Sequence, residues 1–477
     1  MRPRLDSFMS PRLLKLYHRL PSRMRSAAAT LRGWYLNRWR YGEGSKELAA
    51  EARQRDLWSA AQWETWREER IAYILHRAAT RVPYYREQWA ARRRRGDHAS
   101  WEVLANWPLL DKDAVRTNPT AFLADDCDHR RMFRDQTSGT TGTPLTVWRS
   151  RSTLATLHAI VDARTRGWDD IPDNARWARL GGQLVTPVRR RRPPFWVWNA
   201  AMRQLYLSTY HLAPDLIPHY LTALTRYRVV YIAGYPSAVE AIAQEVVQLG
   251  RTDIRLAAVY ANAEPVTPAQ REIVSAAFGC PMREAYGMVE GVAGASECPM
   301  GRLHQWPELG HVEMRRTGEL VCTGLLNPDM ILIRYRVGDR GQPLLDAEPC
   351  PCGRALPLMG PIEGRTDDVL ITPDGRQGAR MGAVFHGLPV RQSQIVQERV
   401  DFLRVLVVAA AGFDEEHEGT IIGRIRERLG EIEVVVERTP AIARTSNGKL
   451  RAIVSRLTPA ERAAVLGRDE EDVREPG

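Results

Sequence analysis

Thr137-Ser138-Gly139-Thr140-Thr141-Gly142-Thr143-Pro144 puts five hydroxyl side chains and two glycines into eight residues. Glycine lets the backbone turn tightly and come close to an anion. Hydroxyls and backbone N–H groups can then converge on phosphate oxygens. The Gly-Lys-Ser/Thr ending of a Walker loop is missing, and a polar surface turn has the same composition. A second constellation is Cys298-x5-His304 with Cys350-Pro351-Cys352. Four N/S ligands suit tetrahedral Zn²⁺ in a structural site, with no position left for catalysis; two unrelated loops with free thiols are the alternative. Cys127, Cys280 and Cys322 lack such company and read as small buried apolar residues.

Lysine usage carries a third signal. Of 68 basic residues only four are lysines, namely Lys15, Lys46, Lys112 and Lys449. Where arginine serves as the generic cation, a lysine marks a place where a compact ammonium is needed. Lys449, in Asn447-Gly448-Lys449, is the candidate singled out on this ground, although the same turn would carry a surface lysine.

These residues need a scaffold, and the chain is long enough for two or more domains. Residues 1–110 read mainly as helices, among them Ser45–Gln54 and Ala60–Thr80, with a break at Val82-Pro83. Residues 111–365 alternate short β-branched runs with helical stretches, which argues for an α/β core. Strands are expected at Val229–Ala233 and Leu256–Tyr260, and helices at Ser237–Leu249 and Pro268–Phe278. Beyond Gly364-Arg365-Thr366-Asp367-Asp368, residues 366–460 form a small α+β unit (strand Phe402–Ala409, helix Glu416–Leu429, strand Ile432–Glu437). Residues 461–477 read as a charged, disordered tail.

The net charge of +11 lies in short arginine runs such as Arg92–Arg95 and Arg189–Arg192, without any nucleic-acid-binding module pattern. Solvated loops or contact with an anionic surface, membrane or polysaccharide, fit better than nucleic acid. No apolar run approaches the ~20 residues of a membrane span, and no signal-peptide core is present, so a cytoplasmic protein is expected.

Five motifs recur in order: the Thr137–Pro144 loop, Tyr286-Gly287-Met288-Val289-Glu290, Arg334–Asp339, Gly364–Asp368 and Asn447–Lys449. In order and spacing they resemble the adenylate-forming superfamily. With Val82-Pro83-Tyr84-Tyr85 and Trp107–Lys112, the chain resembles the phenylacetate–coenzyme A ligase family, including its capsule-biosynthesis branch. The resemblance implies a large N-terminal adenylate-forming domain with mixed sheets and flanking helices, followed by a small mobile C-terminal domain. Ser138, Gly139, Thr140, Thr141 and Gly142 would hold ATP phosphates. Asn262-Ala263-Glu264-Pro265 would line the adenine, with Tyr286 and Gly287 beside the ring. Glu290 would bind Mg²⁺, a hard cation that takes oxygen ligands. Asp339 would accept from the ribose hydroxyls, Arg365 would fix ribose or phosphate, and Asp367 would be the hinge. Lys449 would be catalytic, its ammonium stabilising charge that gathers on the phosphoryl oxygens.

The function so implied is ATP-dependent activation of a small-molecule carboxylic acid through acyl-AMP, then transfer to a thiol, coenzyme A. A homodimer would fit the family. The alternatives are an adenylate-forming enzyme of capsule or polysaccharide synthesis with a non-CoA acceptor, and a non-catalytic scaffold. Three departures favour the capsule-type relatives: Thr143 and Val289 replace the usual Lys and Thr, and Thr372–Gln377 lacks the expected glycine-asparagine pattern. For the acyl pocket, Gly181-Gly182-Gln183, Phe195–Trp198 and Tyr235-Pro236-Ser237 are candidates; the aromatic run could stack an aryl acid or pack in the core.

Overall fold

The computed structural model describes residues 11–42, 44–137, 145–316, 318–342, 344, 348–363, 370–378, 381–385, 387–443 and 451–467. The N-terminal part is helical, as its sequence predicts. Helix Ala60–Arg81 opens on a capping box in which Ser59 and Gln62 satisfy each other's backbone N–H groups. It ends at Val82 because Pro83 disfavours helical geometry there and starts the next helix, Pro83–Arg94.

The central element is an eight-stranded sheet. Strands Gln204–Ser208, Trp177–Gly181, Tyr231–Gly234, Ala258–Asn262 and Met282–Gly287 run parallel side by side. Strands Trp196–Asn199 at one edge, and Gly294–Glu297 followed by Leu303–Gln305 at the other, are antiparallel. Parallel strands are covered on their faces, and Ile232, Val259, Leu180 and Leu205 are buried accordingly. Helix Pro236–Gln248 packs above them with helix Pro268–Phe278, which has Pro at its start, a Thr267/Gln270 capping box and Gly279 in the left-handed region at its end. The strand expected at Leu256–Tyr260 is observed at Ala258–Asn262. Leu256 instead pairs its N–H with the carbonyl of Phe278, and the ladder with Tyr231–Gly234 begins only at Ala258.

A four-stranded antiparallel sheet, Gly310–Met314, Glu319–Gly324, Tyr335–Gly341 and Ile362–Glu363, shares an apolar core with the N-terminal helices. The C-terminal unit carries a second four-stranded sheet, with Phe402–Ala409 between Val390–Arg399 and Glu433–Arg438 and with Ile453–Ser455 at its edge, backed by helix Glu415–Leu429. It docks on the large unit through Val188 and Tyr210, which join its core. Arg376 reinforces the contact by donating to the carbonyls of Leu429 (2.6 Å) and Val188 (3.5 Å).

Two expectations change. Residues Pro459–Leu466 form a helix, closed by a Thr458/Glu461 capping box and Gly467, where an unstructured tail is expected from 461 onward. Residues 468–477 lie outside the described residues. Cys127 is only half-buried and lies 3.4 Å from both Asp126 and Asp329, so it is not a plain core residue; Cys280 and Cys322 are. Of the two alternatives for the aromatic run, Phe195 and Trp198 follow core packing: Phe195 is fully buried and stacks on His211, and Trp198 stacks on Tyr227 at the sheet edge. Among the described residues no helix is long and apolar enough to cross a membrane.

Candidate active site and metal centre

The loops that leave the C-terminal ends of parallel strands are where an open α/β sheet presents its ligand crevice. Here they carry Gly181-Gly182-Gln183, Tyr235-Pro236-Ser237, Ala263-Glu264-Pro265 and Tyr286 through Glu290. Ala263 adopts φ +72°, a left-handed conformation unusual for a side-chain-bearing residue. That turn lets Glu264 reach across and accept the N–H of Ser237 at 3.1 Å, where a carboxylate also complements the positive start of helix Pro236–Gln248.

Glu290 is the most constrained carboxylate of the crevice. It is 5% exposed, and its Oε1 accepts from Lys112 Nζ and from the Tyr335 hydroxyl, each at 2.9 Å. Burial pushes its pKa up, but the adjacent ammonium and these hydrogen bonds outweigh that and hold it below the usual carboxylate range. Lys112 comes into place because Leu110 bridges to the strand beginning at Tyr335, exchanging backbone hydrogen bonds with Arg334 and Arg336. Helix Lys112–Thr117 then starts directly beside Glu290.

A second link joins the two sheets. The Tyr286 hydroxyl donates to Asp339 Oδ2 at 3.0 Å. Burial and the nearby Asp339 charge keep that phenol well above its ordinary pKa, so it remains a neutral donor. Glu290 and Asp339 are thereby each held by a tyrosine, one on each side of the junction between the sheets.

The hydroxyl-rich loop is carried by the hairpin Phe133–Gln136/Thr146–Arg149, whose last pair is Thr137 with Leu145, bonded through the Thr137 N–H and hydroxyl at 3.0 Å. Residues 138–144 lie outside the described residues, and so do Arg365, Asp367 and Lys449. The hairpin is tied to the Glu290 turn by Arg149. This arginine is 3% exposed, donates to the Val289 carbonyl, and lies 3.6 Å from Asp135. Lys112 and Arg149 are functional candidates that motif reasoning passed over. The scarcity of lysine already pointed at Lys112; nothing in so arginine-rich a chain distinguishes Arg149.

The Cys/His constellation does come together. The ligand atoms of Cys298, His304, Cys350 and Cys352 all lie within 4.8 Å of one another. Cys298 Sγ is 3.6 Å from Cys350 Sγ, and Cys352 Sγ is 3.4 Å from His304 Nε2. Tetrahedral Zn²⁺ with bonds of ~2.3 Å requires ligand separations of about 3.8 Å. His304 Nδ1 lies 3.2 Å from the Leu356 carbonyl, an arrangement that directs the Nε2 lone pair at the thiols. Burial lowers the His304 pKa, which keeps the ring neutral. Trp168 packs edge-on against the ring at 5.8 Å and donates to Asp56, the carboxylate that also holds buried Arg164.

The chain is similar to several known proteins. The CapK C-terminal domain family matches residues 370–456. Protein CapK from Staphylococcus aureus is 24% identical over 68% of this chain and 72% of its own length. Phenylacetate-coenzyme A ligase from Thermus thermophilus is 27% identical over 64% of this chain and 70% of its own length. Among solved structures, 2-hydroxyisobutyryl-CoA ligase in the postadenylation state matches at TM-score 0.52 and 18% identity, covering 86% of this chain and 93% of that one. The chain thus shares its fold with an acyl-CoA ligase of the adenylate-forming superfamily. Its homologues include CapK and a phenylacetate-coenzyme A ligase.

Proposed function

We propose that this protein activates a carboxylic acid with ATP. A carboxylate oxygen of the acid attacks the α-phosphorus, the bond to pyrophosphate breaks, and acyl-AMP forms. In the second step a thiol sulfur, that of coenzyme A, attacks the acyl carbon, loses its proton and displaces AMP. The observation that carries this reading is the crevice itself. Glu290, in the turn after the last parallel strand, and Asp339, on the adjoining antiparallel sheet, are each held by a tyrosine, and Arg149 ties the hairpin that bears the hydroxyl-rich loop to the same turn.

In this reading Ser138, Gly139, Thr140, Thr141 and Gly142 bind phosphates, Ala263, Glu264, Pro265 and Gly287 flank the base, and Asp339 accepts from the ribose hydroxyls. Tyr286 orients Asp339 by its hydrogen bond. Arg365 assists at ribose or phosphate, and Asp367 is the hinge. Lys449 supplies the ammonium that stabilises charge developing at the α-phosphate. Glu290 is ionised and keeps Oε2 clear of both the Lys112 and the Tyr335 bonds, which suits a ligand to Mg²⁺. That ion would supply charge neutralisation at the phosphates. Cys298, His304, Cys350 and Cys352 hold structural Zn²⁺, as their separations fit.

A second reading differs only in the acceptor: the acyl group passes to a sugar, amine or other non-CoA group. Residues 370–456 match the CapK C-terminal domain, and Thr372–Gln377 within them lacks the glycine-asparagine pattern expected of coenzyme A ligases, which favours it. ATP–pyrophosphate exchange over a panel of aryl and aliphatic acids tests the first half-reaction. Exchange with at least one acid, lost in Lys449→Ala, is expected. Full exchange in Lys449→Ala overturns the assigned role. Exchange without thioester product selects the second acceptor reading, and neither exchange nor ATP binding leaves a scaffold.

A further inference from the structure

Helix Ser22–Arg40 is amphipathic in the wrong sense for a surface helix. Its inward side is polar or small. Ser26 Oγ accepts the N–H of Trp198 at 3.2 Å, Thr30 Oγ1 accepts that of Ala200 at 3.1 Å, and Asn37 donates to the Ala201 carbonyl at 2.6 Å. Gly33 lies so close to Asn199 that any side chain there would collide with it. The outward side presents Met24, Leu31 and Trp34, which are 54%, 73% and 64% exposed. Those positions share one stripe of an α-helix, and exposed Arg38 continues it. The preceding helix, Pro11–Arg19, repeats the arrangement, with Leu13 and Leu16 more than half exposed among exposed Arg12, Lys15 and Arg19.

Between Pro11 and Gly42 the chain has eight arginines and lysines, of which Arg12, Lys15, Arg19, Arg23 and Arg38 are exposed, and not one aspartate or glutamate. Apolar side chains ringed by cations, with no carboxylate among them, match a surface that is apolar inside and anionic outside. Trp34 adds the amphipathic ring that settles at the boundary between the two. We infer that these two helices form a docking face for a membrane rich in anionic lipid, lying in its interface without crossing it. A soluble polyanion would use the cations but leave the leucines and Trp34 without a partner. A protein partner would need an acidic face of its own, whereas the lipid interface supplies the negative charge and the apolar phase together.

The test is flotation of the full-length protein with vesicles of phosphatidylcholine alone or mixed with phosphatidylglycerol. Binding is expected with the anionic vesicles and not with the neutral ones. It should weaken as salt rises, since surface charges are screened. The exposed-face variant Leu31→Glu/Trp34→Glu should lose on the order of tenfold in vesicle affinity while keeping the wild-type circular dichroism and melting temperature. A variant with Arg94→Gln and Arg95→Gln, an exposed basic run at the end of helix Pro83–Arg94, should bind vesicles as wild type does. Equal binding to neutral and anionic vesicles overturns the inference, as does no binding to either. So does binding that the Leu31/Trp34 variant leaves intact and soluble dextran sulfate fully competes away, which would mark a site for soluble polyanions.

Discussion

Replacing Lys112 with methionine keeps the length and apolar stem of the side chain but removes the charge beside Glu290. The carboxylate side chain is 3% exposed, so it cannot recover hydration where it stands, while Lys112 is 28% exposed. Breaking one partner of a buried ion pair typically costs ~3–5 kcal/mol. The retained Tyr335 hydrogen bond and the partial exposure of the lysine reduce this to about 2–3 kcal/mol at neutral pH. The pH dependence is the sharper readout. In the wild type the Glu290 pKa is held low, so its stabilisation is present above the ordinary carboxylate pKa and is lost as pH falls through the folded value. In Lys112→Met the ammonium is gone and only the Tyr335 and backbone hydrogen bonds oppose burial, so the folded pKa rises above the unfolded one. The folded variant then takes up a proton, and its deficit shrinks as pH falls, by up to ~1.4 kcal/mol per pH unit. Urea unfolding of both proteins from pH 8 to pH 5 measures this directly. Arg399→Met, which breaks exposed pairs with Asp401 and Glu433, is the control and should show little change at any pH. A deficit that stays constant with pH, or one no larger than the control's, would refute the assignment of Lys112 as the group that keeps Glu290 ionised.

Metal analysis of the purified protein should find one zinc per chain, and Cys298→Ser or Cys352→Ser should lose it together with several degrees of thermal stability. Arg164→Leu removes the guanidinium hydrogen-bonded to buried Asp56 and Glu308 at 2.6–2.8 Å and leaves them only the longer pairs with Arg354 and Arg55, each at 3.8 Å; a loss of ~3 kcal/mol in urea unfolding is expected. Gly291→Ala sets a β-carbon at φ +67° and 3.1 Å from Arg149 Nη2, which should cost about 1–2 kcal/mol. Because the same turn carries Glu290, it should also raise the KM for ATP in the exchange assay. Asp339→Asn should raise that KM on the order of tenfold with a smaller change in kcat, since a ribose contact is made in ground and transition states alike.

Local signals were the legible part of this molecule. Helix Pro268–Phe278 could be read to the residue because Thr267, Pro268 and Gly279 mark its two ends. The thiol and imidazole spacing announced a cluster that the fold does assemble. The helix Pro459–Leu466 was equally legible, in Thr458-Pro459-Ala460-Glu461, yet its charged setting made it resemble a tail. What could not be read were pairings across long stretches of chain. Lys112 and Glu290 are 178 residues apart, and Arg149 and Val289 are 140 apart. A side chain's own type says nothing about which distant loop the sheet order brings to it. The aromatic run Phe195–Trp198 was left undecided for a related reason, because apolar rings suit an acyl pocket and a sheet edge alike.

The sulfurs of Cys298 and Cys350 meet although 52 residues separate them, and Cys352 meets His304 across 48. Joined through a common ion, the intervening chain becomes a closed ring, and both Tyr335 and Asp339 ride on it. Scarcity of that ion, or an oxidant reaching the partly exposed Cys352, would then slacken the nucleotide side of the crevice from behind. Catalysis would fade while every group that touches substrate remained chemically intact.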